Sequence, residues 1–156
     1  ATQFTLAALQ RLSFQSNNID WYFNLAGQLA NDPLPASLQK AIGGVNTVRG
    51  YEEREAYGDH GVHFNTELRF GSAQGRKISN YGVIHPLFFY DFGYVASEDS
   101  LSAKDDTTTM HSLGAGVRCN FKSSVDIGLH LGVPLKDTAD SAAKNPRAHF
   151  SFDFRF

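Results

Sequence analysis

Apolar and polar residues alternate one by one along much of this chain. The last stretch shows it most clearly. In AHFSFDFRF, Phe150, Phe152, Phe154 and Phe156 share one parity, while Ser151, Asp153 and Arg155 share the other. Period two marks a strand, because successive side chains leave opposite faces. GVHFNTELRF repeats it, with Val62, Phe64, Thr66, Leu68 and Phe70 against His63, Asn65, Glu67 and Arg69. In SVDIGLHLGV, Val125, Ile127, Leu129, Leu131 and Val133 alternate with Asp126, Gly128, His130 and Gly132. In HSLGAGVRCNF, Leu113, Ala115, Val117, Cys119 and Phe121 oppose small and polar residues. PLFFYDFGYV is nearly all apolar, but Asp91 and Gly93 fall on one parity. NIDWYFNLAGQLA groups Trp21, Phe23 and Leu25, and TQFTLAALQRLSFQ reads as a weaker strand whose centre also suits a helix.

About seven strands of about ten residues each follow, the length that crosses a bilayer at a tilt. Aromatics on one face and charges on the other fit a wall between lipid and a wet lumen. A soluble β-sandwich with the Phe face in its core would carry the same pattern. The connections differ in length. KSS (122–124) is a tight turn, whereas ASEDSLSAKDDTTT (96–109) and KDTADSAAKN (136–145) are long and polar. Short turns at one end and long loops at the other match an outer-membrane barrel. If the last strand ends in the periplasm, KSS and GSAQGRKISNYG (71–82) are periplasmic. The two long polar loops and residues 43–61 are then extracellular. The fold expected is all-β, an antiparallel transmembrane β-barrel segment formed by residues 1–156 as one unit.

The longest connection runs from Asn31 to about His60, with little strand pattern. Loops of that length are functional or disordered. Pro33, Pro35, an apolar patch at 38–42 and the pair Gly43, Gly44 point to a defined loop that folds inward. Arg49 sits in its middle. A guanidinium stays charged and forks onto carboxylates. Glu67 and Asp91 both lie on the inward parity of the next two strands, and either could receive it. A solvated loop arginine is the plain alternative. Glu52, Glu53, Arg54 and Glu55 read most simply as a solvated loop face.

TVRGYEEREAYGDHGVHFNTELRF (47–70) resembles the signature of two-partner secretion transporters, the hemolysin activation/secretion proteins of TpsB type. The tetrad is Val48, Arg49, Gly50, Tyr51, preceded by Gly43 and Gly44. A Phe-x-Asp-x-Gly motif follows at Phe89, Asp91 and Gly93, and Glu67 matches a further family position. The resemblance implies that the tetrad sits at the tip of a loop folded into the barrel and that Arg49 pairs with Asp91. It also implies that Phe152, Phe154 and the terminal Phe156 form the signal read by the barrel-assembly machinery. By this resemblance the chain supplies about seven C-terminal strands of a sixteen-stranded barrel in the bacterial outer membrane. Its partners would be outer-membrane lipid and a secreted exoprotein of hemolysin or adhesin type, which crosses unfolded. A barrel that inserts membrane proteins shares the tetrad and is the alternative within the superfamily; a soluble all-β binding module is the alternative outside it. The POTRA and plug parts of the family are not in the sequence, and seven strands cannot close such a barrel. The chain therefore reads as a piece of a longer protein, or one that self-associates, its start ATQFTLAALQ carrying neither Met nor a leader.

Composition adds exclusions. The 156 residues carry 14 Lys and Arg, 16 Asp and Glu, and a net charge of −2. That balance, without basic clusters, gives no nucleic-acid partner. The single Cys119 allows no internal disulfide, and its apolar parity predicts a buried, inert thiol. His60 and His63, three apart beside Asp59, make a poor metal site. No nucleophile elbow, phosphate loop or Cys–His pair is present. Neither enzyme activity, a cofactor nor a metal is expected.

Overall fold

The computed structural model describes residues 3–14, 19–71, 76–79, 82–97, 107–121 and 125–154. It contains β1 (Gln3–Phe14), β2 (Ile19–Ala30), β3 (Lys40–Ile42), β4 (Ala56–Gly58), β5 (His60–Phe70), β6 (Arg76–Ser79), β7 (Gly82–Ala96), β8 (Thr107–Phe121), β9 (Val125–Pro134) and β10 (Arg147–Phe154). The long strands pair in the order β1-β2-β5-β7-β8-β9-β10, each antiparallel to its neighbour, and β6 pairs beside β7. β3 and β4 form a separate two-stranded ribbon inside the long connection. The turn at 122–124, most of the loop before β8, and Phe156 lie outside the described residues.

One local reading holds and two change. The β1 segment, whose centre also suited a helix, is strand throughout and pairs along its length with β2. Thr107, Thr108 and Thr109 belong to β8 rather than to a loop, facing Ala96, Val95 and Tyr94. β-branched residues suit that extended pairing. The connection after Ala30 holds a β ribbon that alternation could not reveal, since three residues are too few to show a period.

The two sheet faces invert the usual partition. One face carries the 31–59 connection and buries polar groups: Gln28, His63, Glu67, Asp91, Ser112, His130 and His149. The other is apolar and bare. Phe150, Phe152 and Phe154 are 65%, 58% and 57% exposed, and Phe4, Leu6, Phe88, Leu129 and Leu131 are exposed with them. A sandwich would bury that face under a second sheet. No second layer covers it among the described residues, so these residues by themselves do not form a sandwich. Large apolar side chains standing in one uncovered band suit lipid. Cys119 lies on this band and is half-buried rather than buried.

Candidate functional site: the loop tip and the wall beneath it

The connection folds back over β5 and β7 and ends in a tight tip. Gly44 N–H donates to Val48 O at 3.0 Å, and the Thr47 hydroxyl donates to Gly43 O at 2.9 Å. Gly43 and Gly44 hold φ of 107° and 94°, a left-handed backbone that glycine adopts without strain. An apolar core forms between tip and wall from Ile42, Val48 and Tyr51 of the loop with Val95 of β7 and Met110 of β8. Burial of these side chains supplies the non-directional part of the attachment. The Tyr51 hydroxyl lies 2.9 Å from the carbonyls of both His111 and Lys136, so it bridges β8 to the connection after β9.

Arg49 supplies the directional part. It is 3% exposed. Its Nε and Nη2 donate to the two oxygens of Asp91 at 2.7 and 2.8 Å, and its own backbone N–H donates to Asp91 Oδ2 at 3.1 Å. Nη1 donates to Glu67 at 2.5 Å. The guanidinium also lies 3.6 Å from the centre of the Phe89 ring. A planar fork meets two carboxylates and an aromatic face at once, which only arginine can do. The antiparallel register explains the convergence: Asn65 faces Asp91 and Glu67 faces Phe89 across β5 and β7. Both carboxylates left open by parity therefore receive the arginine.

The charges around it balance. Glu67 also accepts from Arg69 at 2.9 Å and Arg118 at 3.3 Å, and Arg118 reaches Asp126 at 3.9 Å. Three guanidiniums thus face three carboxylates; Arg49, Glu67 and Asp91 are buried, Arg69, Arg118 and Asp126 are partly exposed, and no buried charge is left uncompensated. Arg69 is stacked at 3.8 Å over Tyr22. Beside the cluster opens a cavity of about 370 Å³ bordered by Tyr22, Asn24, Asn46, Arg69 and Arg118.

Several contributors carry no signal in local sequence. Gly132 lies directly under the tetrad: a Cβ there would be 2.6 Å from Gly50 N. Gly93, already marked by its motif, does the same for Val48, where an added Cβ would sit 2.7 Å from its side chain. His149 on β10 accepts from Gly50 N–H at 2.8 Å. The run from Glu52 to Glu55 is not merely solvated. Glu52 pairs with Arg147 at 3.0 Å, Glu53 accepts from Val45 N–H at 2.7 Å, and Glu55 accepts from Thr138 and, at 2.6 Å, from Ser141. Burial works against the Glu55 charge, but the hydrogen bonds from Ser141, Thr138 and the backbone outweigh it and hold its carboxyl below the usual range.

Of the residues singled out from sequence, Val48, Arg49, Gly50, Tyr51, Glu67, Phe89, Asp91 and Gly93 meet at this tip. Phe152 and Phe154 lie apart, on the bare face. No group of three or more metal-binding side chains occurs among the described residues.

Residues 1–119 match the family of haemolysin secretion/activation proteins ShlB/FhaC/HecB. The heme/hemopexin transporter protein HuxB of Haemophilus influenzae strain 86-028NP is 27% identical over 129 residues, which are 79% of this chain and 22% of that protein. The HuxB of strain ATCC 51907 is 26% identical over the same length. CdiB from Acinetobacter baumannii superposes with a TM-score of 0.69 at 18% identity, over 97% of this chain and 26% of its own, and so shares the fold. The chain spans about a fifth of the length of these curated relatives, 22% by alignment.

Proposed function

Because the chain belongs to the haemolysin secretion/activation protein family ShlB/FhaC/HecB, we propose that it forms wall and inward loop of a transporter that passes an exoprotein partner across the outer membrane. Its strands are antiparallel wall strands of an outer-membrane β-barrel, the bare apolar band toward lipid and the polar face toward the lumen. In this reading the 31–59 connection is the working loop, and its tetrad fastens it to the wall. The exoprotein crosses as an unfolded chain past that loop. Phe152 and Phe154, outward near the end of β10, belong with Phe156 to the signal for the assembly machinery.

The observation that carries the reading is the buried fork of Arg49 onto Asp91 and Glu67. A loop that merely decorated a pore would have no use for a buried, charge-balanced anchor. Removing one member of a buried ion pair costs about 3–5 kcal/mol, because the partner is left charged and alone. Here Asp91 is that partner, while Glu67 keeps Arg69 and Arg118. Arg49→Ala in the full-length protein is expected to release the loop and lower export of the exoprotein into the medium. Barrel levels in the outer membrane, measured by immunoblot of the same cells, are expected to hold. Normal export at normal barrel levels would remove the loop from the mechanism.

A further inference from the structure

The arginine fork ties the tip to β5 and β7. A second tie reaches β10, at the far edge of the sheet, and it differs in kind. We propose that His149 is a positioning residue of the loop, holding the tetrad backbone to β10 only while its imidazole is neutral.

Gly50 N–H donates to His149 Nε2 at 2.8 Å, and the ring is 7% exposed. An imidazole nitrogen accepts only when it carries no proton. The ring proton is therefore on Nδ1, whose facing group is Glu53 Oε1 at 4.0 Å. The acidic neighbour thus stands beside the nitrogen that must be protonated, and the backbone donor beside the one that must not.

Protonation undoes this arrangement. Nε2 would then carry a hydrogen aimed at the Gly50 N–H, two donors with no acceptor between them. Gly50 cannot turn aside, because it lies against Gly132. The charged groups acting on the ring come from several elements. Glu53 and Asp91 attract a cation there, and Arg147 and Arg49 repel it. Asp91 already holds Arg49. His130 faces His149 across the β9–β10 pair and accepts nothing from it. A protonated ring is therefore drawn toward Glu53, on the loop's exposed side, and away from Gly50. The guanidinium fork has no such dependence, since Arg49 stays charged. His149 thereby adds to a permanent anchor one that loosens with acid.

The inference rests on the reading of the connection as the working loop of a secretion barrel, and the test separates the two. The full-length protein, in a cysteine-free background with Cys119→Ser, carries a nitroxide at Asn46→Cys on the exposed part of the tip. It is reconstituted in lipid vesicles, and the mobile spectral fraction is followed from pH 8 to pH 5. That fraction is expected to rise about tenfold on acidification, the factor expected for one lost buried hydrogen bond. His149→Gln, whose amide oxygen accepts and does not titrate, is expected to stay immobile throughout. His149→Leu is expected to be mobile at both ends. A pH response retained in His149→Gln, or absent from the parent, overturns the proposal. A tip freed by His149→Leu while export continues at the parental rate upholds the positioning role and sinks the secretory role of the loop.

Discussion

A single methyl group tests the whole attachment. Gly132→Ala places a Cβ 2.6 Å from Gly50 N, 2.7 Å from the Arg49 carbonyl carbon and 2.9 Å from Gly50 Cα. All three are backbone atoms, so no rotamer change relieves the contact. The closest falls about 0.8 Å short of the 3.4 Å at which ordinary contact begins. Lifting the tip by that much stretches the Arg49 fork from 2.7 and 2.8 Å to about 3.5 Å. Overpacking costs about 1–3 kcal/mol, and weakening a charge-assisted bond adds about as much, so about 3 kcal/mol is expected after partial relaxation. That corresponds to roughly a hundredfold rise in the released loop. The assay is trypsin added to the full-length protein in membranes. Cleavage after the buried Arg49 yields a fragment beginning at Gly50, which N-terminal sequencing distinguishes from cuts at the exposed Arg54. Gly27→Ala is the control, since its Cβ would meet Gly61 O at 3.5 Å and Val62 at 3.9 Å, both ordinary contacts. Equal rates of Arg49 cleavage in the two variants would refute the account of the tip as pressed onto the wall.

Two further outcomes are expected. Leu131→Arg, in the middle of β9 on the bare face, should cost about 2–4 kcal/mol if that face meets lipid, and lower the yield of folded barrel on heat-modifiability gels; an unchanged yield would mean the face meets water. The lowered Glu55 carboxyl makes its hold on Thr138 and Ser141 present above the ordinary carboxylate range and lost as pH falls through the lowered value. Amide exchange of residues 135–146, corrected for intrinsic rates, should therefore stay protected at mildly acid pH and speed up below it, and Glu55→Gln should flatten that dependence.

The sequence by itself determined the long strands, their two faces and the inward parity of Glu67 and Asp91. Those features are local, because side-chain direction alternates residue by residue whatever the strand pairs with. It also flagged Arg49 as a charge in need of a partner, since a guanidinium cannot shed its proton. Which partners met it was decided by register. Asp91 lies 42 residues from Arg49 and Glu67 only 18, yet pairing of β5 with β7 brings both to one guanidinium. His149 is 99 residues from Gly50, and nothing near either residue announces the other. Gly132 read only as one of the alternating positions of its strand, and it is the floor on which the tetrad rests. The glutamates after the tetrad looked solvated because the donors they meet arrive from far along the chain, Thr138 and Ser141 from the connection after β9 and Arg147 from the start of β10. Alternation says which face a residue takes. Depth along the wall, and hence what stands opposite, comes only from how the strands are staggered and where the loop comes to rest between them.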